Sequence, residues 1–248
     1  MRGRLCSGIV KSLEYFLTHQ RVHLSAPGGM ASFTFDDFPQ SAFAIGGTIL
    51  EKYNARGTYY ASLGLASTAG DLGPMFDFED IAAANLRGHE IACHTYSHMD
   101  CSRTNVKTIL GEIEKNATTL NRVVEGTKTT NFAYPFGRTS IASRRALRSR
   151  FTSCRGIRPG INRSLSDLTN LRAVRIYDRT IDEVALKQVI DRSCTLGGWI
   201  IFYTHDVAVA PSAFGCTPSQ LEGIVAYAAS RMPILPVRDA LTRALAVH

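Results

Sequence analysis

Three short segments carry side chains that together could do hydrolytic chemistry. Asp36 and Asp37 follow the apolar run in ASFTFDDFP, His94 and His98 lie four apart in HEIACHTYSH, and His205 ends GGWIIFYTH. They offer three ligands for a divalent metal and two groups able to move protons. An enzyme that opens an amide or ester with metal-activated water needs this inventory. Two adjacent carboxylates repel each other unless something positive compensates. A metal takes one, and the other stays free to accept a proton, helped by a nearby cation. The competing reading is an N-cap pair for the next helix, but Phe38 and Pro39 intervene. On a helical turn, the i, i+4 spacing of His94 and His98 puts both imidazoles within reach of one ion. Two ordinary histidines beyond a strand fit the bare spacing equally well. His205, with a reference pKa of about 6.5, is suited to act as a general acid. The alternative is a core histidine bonded to a carbonyl. Asp206 orients a histidine or, more simply, turns the chain, and His89 reads as structural.

The elements that must position these residues alternate. Strands are expected at 31–35, 57–62, 89–94, 130–134, 151–155, 171–177, 197–205 and, as a short last strand, 233–237. Between them lie helical stretches: 41–54, 78–88 ended by Gly88, and 105–124 with an apolar stripe of Ile109, Ile113, Ala117, Leu120 and Val124. Further helices are expected at 140–150, after a Thr180/Glu183 capping box, after Thr217-Pro218, and from Arg238 onward. Strands alternating with helices imply a mainly parallel sheet. Chemistry-bearing residues at the strand ends favour a barrel, where sites gather on the loops leaving the strands.

The bulk numbers agree with one enzyme-sized globule. The 248 residues are 45% apolar and 20% charged, with a net charge of +7. The basic residues form no long block; the densest stretch, Arg144 to Arg175, mixes Arg with Ser, Leu and Gly. It reads as solvated surface, and no nucleic-acid partner is expected. Six dispersed cysteines make no CxxC pair and read as free thiols, Cys93 facing away from His94 into the packing. The N-terminus has no clean signal-peptide core and the chain has no run of about 18 apolar residues. A cytoplasmic protein without a membrane span is expected, its oligomeric state open. Residues 1–29 read as an N-terminal leader or an added helix.

TFDD, GHEIACHTYSH, FAYPFG and IIFYTHD, in this order, resemble the NodB-like polysaccharide deacetylases of carbohydrate esterase family 4, over roughly residues 31 to 240. The resemblance implies an α/β fold, a distorted (β/α)7-type barrel, with a catalytic domain at 30–248. It implies a carbohydrate substrate and a divalent metal, usually Zn2+ (Co2+, Ni2+ or Mn2+ being alternatives), held by Asp37, His94 and His98. It implies Asp36 as general base, His205 as general acid, and the Tyr134-Pro135-Phe136 segment at the oxyanion and substrate, with the Phe136 N–H donating. Two departures stand out. The arginine that often opens the third motif is replaced by Ala133, and no Asp-Trp fourth motif is visible, Trp199 lying in the later strand. A replacement cation from the Arg155–Arg158 loop is open. The activity expected is N-acyl hydrolysis on an amino sugar, with small-amide hydrolysis, deformylation or non-catalytic carbohydrate binding as alternatives.

Overall fold

The computed structural model describes residues 20–246. Most of the expected leader, with Cys6 and His19, lies outside the described residues. The strands are β1 (Arg21–Leu24), β2 (Met30–Asp36), β3 (Thr58–Ala61), β4 (Ala69–Gly70), β5 (Gly73–Pro74), β6 (Glu90–Cys93), β7 (Asn131–Ala133), β8 (Ser153–Arg155), β9 (Ser164–Asp167), β10 (Val174–Arg175) and β11 (Trp199–Thr204). Seven of them form one parallel sheet in the order β10-β11-β2-β3-β6-β7-β8.

The sheet curls until its edges nearly meet. Leu171, just before β10, bonds to β8 through Leu171 N–H to Cys154 O and Gly156 N–H to Leu171 O. Side chains prove the curvature: Arg155 of β8 reaches Asp36 of β2, although three strands lie between them in the sheet. The expected distorted seven-stranded α/β barrel is therefore what forms.

Strand alternation sorts the residues. On β2, Ala31, Phe33 and Phe35 face the helices, where Phe33 stacks on Phe202 and Phe35 on Tyr59, each at 5.0 Å. Burying each such ring contributes about 1.5–3 kcal/mol. The other β2 face carries Ser32, Thr34 and Asp36, so the barrel interior is polar and must satisfy itself. It does so in layers. At the floor, Glu90 accepts from Asn131, Thr58 and the Arg238 N–H, while Trp199 Nε1 donates to Ser32, which donates to Leu235 O. Nearer the top lie Tyr60, Arg155 and Asp36.

Helices pack outside: Thr48–Lys52, Phe78–Leu86, Val106–Val123, Ile141–Leu147, Glu183–Leu196, Pro218–Ala229 and Val237–Leu245. Three starts carry complete capping boxes, at Asp77, Ser140 and Thr217, the last with Pro218 at its first position. Several expectations shift. The segment after Ser41 begins as a π-helical turn, Ala42–Gly47. The cap of Glu183–Leu196 is Asp182, whose carboxylate accepts from the Ala185 N–H; Thr180 ends a short 3-10 turn instead. The buried face of Val106–Val123 includes Asn116 rather than Ala117, because the Asn116 amide bonds Leu63 N–H and Ala61 O. Residues 233–237 form no strand, only a bridge from Ile234 to Ala31, since Pro233 and Pro236 remove ladder donors. Within the expected leader, β1 pairs with β9, and Leu24 and Ala26 join the core. No described helix is long and apolar enough to cross a membrane.

Candidate active site

Asp36 closes β2, so its side chain faces the barrel interior. Asp37 follows with φ 62, and Phe38 with φ 62. On an extended strand Asp37 would point the other way. The left-handed turn swings its carboxylate to the same side as Asp36, while Phe38 drops into a cluster with Tyr59 and Phe76. Strain of this sort is held only where packing over-determines it.

The two carboxylates have different surroundings. Asp36 Oδ1 accepts from Arg155 Nη2 at 2.5 Å. The guanidinium is fully buried, stacked 5.0 Å from both the Tyr60 and Tyr203 rings, and also donates to Gly156 O. Burial alone would raise the Asp36 pKa, but Arg155, with His94 and His205, outweighs it and holds Asp36 below the ordinary carboxylate range. Asp37 moves the opposite way, up to about 6; burial drives it, His205 opposes it and Asp36 adds to it.

His94 and His98 meet Asp37 from β6. Their Nε2 atoms lie 3.5 and 3.1 Å from Asp37 Oδ1. They converge through an irregular turn with Thr95 at φ 63 and His98 at φ 55, not through the helical turn the spacing suggested. That turn is pinned by Glu112, whose Oε2 accepts from the Tyr96 and Ser97 N–H groups and the Ser97 hydroxyl. His94 Nδ1 donates to Ala133 O at 2.8 Å, which leaves Nε2 as the free lone pair. Burial lowers His94 to about 3 and also lowers His98, so both rings are neutral at pH 7.

Two observations fit a divalent ion at this cluster. The carboxylate and imidazole donor atoms all lie within 4.8 Å of one another. Asp37 Oδ1 is buried yet accepts no hydrogen bond. Neutral imidazoles and a carboxylate are the donor set for zinc and its neighbours.

His205 faces the cluster from β11, its Nε2 3.9 Å from Asp37 Oδ2. Its Nδ1 lies 3.3 Å from Phe214 O, so Nε2 is the atom turned to the cavity. Asp206 takes no part: it accepts from Ser212 N–H and Oγ and shapes the following loop. His89 is structural as well, accepting at Nδ1 from the Gly57 N–H and meeting Glu51 at Nε2. Cys93 packs away from the site, and the five described cysteines are free thiols.

The Tyr134–Gly137 segment forms the opposite rim. Gly137 and Arg138 N–H groups close a tight turn onto Tyr134 O and Pro135 O. Phe136 sits at φ 58, and its own N–H takes no acceptor in the turn. Its ring packs edge-on against His98, centroids 4.5 Å apart. Tyr134 points inward instead, its hydroxyl donating to Thr169 O, so only its backbone serves the rim. Pro135 is buried beneath the turn.

All of Asp36, Asp37, His94, His98, His205 and Phe136 line one cavity of about 480 Å3. Sequence reasoning missed several of its other walls: Tyr177, Phe214, Leu72 and Arg138. Of the arginines in the 155–158 loop, Arg155 is the one that meets Asp36, while Arg158 lines a different cavity.

The family model described as Polysaccharide deacetylase matches residues 23–150. A chitin deacetylase of Arthroderma benhamiae is 29% identical over 109 residues, 44% of this chain and 28% of that protein. The chain thus spans well under half the length of that relative. Among solved structures, a family 4 acetyl xylan esterase from Clostridium thermocellum, in complex with a cobalt ion, superposes with TM-score 0.60 at 20% identity, covering 86% of this chain and 90% of that one. A CE4 family pseudoenzyme from Bacillus anthracis superposes with TM-score 0.59 at 14% identity, covering 89% and 67%.

Proposed function

Because the chain belongs to the polysaccharide deacetylase family, we propose that it is a metal-dependent hydrolase that removes N-acetyl groups from an amino-sugar oligo- or polysaccharide. One observation carries this reading. A carboxylate held ionised by Arg155, a three-donor cation cluster and a histidine turned toward it all line the same cavity.

A divalent ion held by Asp37, His94 and His98 would supply Lewis acidity at the acyl carbonyl and lower the pKa of a water, and zinc, cobalt, nickel and manganese all suit these ligands. The chain's own residues do the rest. Asp36, kept as a carboxylate by Arg155, accepts the proton of the attacking water. The Phe136 N–H, left free within its turn, donates to the oxyanion that develops on the acyl oxygen as water adds to the carbonyl carbon. His205 Nε2 gives a proton to the departing amine, with Nδ1 oriented by Phe214 O. The Tyr177 and Phe214 rings pack beside His205 and line the same cavity.

The presence of both Asp36 and His205 argues against a silent relative of the pseudoenzyme type. The test is acetate release from chito-oligosaccharides before and after chelation and after restoring Zn2+. Equal turnover by metal-free and metal-loaded protein ends the proposal, and faster turnover of small amides than of sugars moves it to small-amide hydrolysis.

A further inference from the structure

Arginines that look dispersed along the sequence are gathered by the fold. Arg21, Arg144, Arg158, Arg163 and Arg172 line one cavity of about 410 Å3 on the flank of the barrel, where Asp167 is the one carboxylate among the described residues. Asp167 is already engaged by Arg144, by the Thr169 hydroxyl and by the Gln20 N–H. Arg172 donates to Pro159 O at 3.0 Å. Arg158 and Arg163 are exposed and, among the described residues, pair with no carboxylate. Concave walls of one sign focus the field and draw in counter-ions. Guanidinium forks match carboxylate and phosphate oxygens two by two.

The position of this cavity says what would bring an anion to it. The loop after β8 separates it from the catalytic cavity: Ile157 lines the catalytic side and Arg158 the basic side. The catalytic cavity abuts another cavity with which it shares Ile157, Arg175 and Tyr203, and the basic cavity begins one residue further along the same loop, so a polymer that continues from Asp36 and His205 over this loop meets its arginines. Among the described residues no aromatic side chain lines the basic cavity, so they offer none of the platforms on which nucleic-acid bases stack.

We propose that this arginine-lined cavity binds the acidic groups of the same glycan whose N-acetyl groups enter the catalytic cavity, so that the substrate class is an acidic polysaccharide. The proposal rests on the deacetylase reading for its choice of glycan; the binding test does not depend on turnover.

The experiment titrates the full chain with hyaluronan oligosaccharides, which alternate N-acetylglucosamine with a uronate, and with neutral chito-oligosaccharides of equal length. Inorganic phosphate and a DNA duplex of matched charge are separate arms. The acidic sugar is expected to bind at least tenfold more tightly than the neutral one at low salt. Added salt should erode that advantage. Arg158→Ser/Arg163→Ser should abolish it with an unchanged melting temperature and unchanged binding of the neutral sugar, whereas Arg158→Lys/Arg163→Lys should keep part of it. Equal affinity for acidic and neutral sugars, or an unaltered preference in the double serine variant, overturns the proposal. So does tighter binding of DNA than of the acidic sugar, or binding of phosphate alone. A failed acetate-release assay beside intact acidic-sugar binding would indict the deacetylase reading instead.

Discussion

Arg155 on β8 donates to Asp36 on β2 across the barrel interior, and it comes from a strand later in the chain than the motif that carries Ala133. Ala133 and Arg155 are partners in the β7–β8 register, so the two strands present neighbouring side chains at the same height. The cation absent from one strand is supplied by the next. Ala133 is small, which leaves room for the guanidinium to cross toward β2, and its carbonyl holds His94.

Removing that cation should be costly. Arg155→Met leaves Asp36 buried without its partner, and its carboxyl should rise from its lowered position. Breaking a buried pair from one side costs about 3–5 kcal/mol. Urea unfolding should show that loss, and Arg155→Met/Asp36→Asn should recover part of it. An Arg155→Met protein as stable as the wild type would mean that the pair contributes nothing net.

Metal and proton roles should separate by position. Asp37→Ala and His94→Ala should lose bound metal, read by elemental analysis, together with activity. His205→Ala should keep the metal and lose about 10²–10⁴ in turnover, the usual range for a general acid. In the wild type, a divalent ion at about 100 times its Kd should add about 2.7 kcal/mol of stability. Loss of metal in His205→Ala would move that residue into the ligand set.

Glu112 should set metal affinity without touching the metal. Glu112→Ala frees the Tyr96 and Ser97 N–H groups that hold His98 in place. Removing such outer support typically costs about 10–100-fold in affinity. Isothermal titration with Zn2+ against a Thr108→Ala control would show it. An unchanged Kd would mean that the strained turn holds itself.

Gly137 should be irreplaceable in the rim turn. It sits at φ 64, and an added Cβ would approach Ile157 Cγ1 to 2.3 Å. Gly137→Ala should therefore lose stability by about 1–3 kcal/mol and displace the Phe136 N–H, lowering kcat more than it raises KM. A kcat equal to that of the wild type would remove Phe136 from the oxyanion role.

Glu90 should leave a pH signature. Burial raises its pKa, with its hydrogen bonds from Asn131, the Arg238 N–H and Thr58 opposing only in part. The folded state thus binds its proton more tightly than the unfolded state. Its contribution is full below the ordinary value of 4.5, is lost as pH rises through the raised folded value, and is flat above. Glu90→Gln cannot titrate, so the stability gap between wild type and variant should shift in favour of the variant across that window. A gap independent of pH would mean that Glu90 has the same pKa folded and unfolded.

Most of the strands, the helices and the five candidate site residues that the structure brings to one cavity were legible in the residues themselves. Apolar runs, helical stripes and caps are local, and Asp36, Asp37, His94, His98 and His205 stand at the ends of such runs. What the chain could not announce was direction. Whether Asp37 joins Asp36 or opposes it depends on a left-handed φ that only packing of Phe38 against Tyr59 and Phe76 enforces. The His94–His98 turn is likewise held by Glu112, a residue on a helix that no spacing rule connects to it. Arg155 and the arginine-lined cavity are further from local view. Their members are scattered along the sequence and meet only because the parallel sheet curls, and the curl follows from the summed twist of seven strands, which no single segment contains.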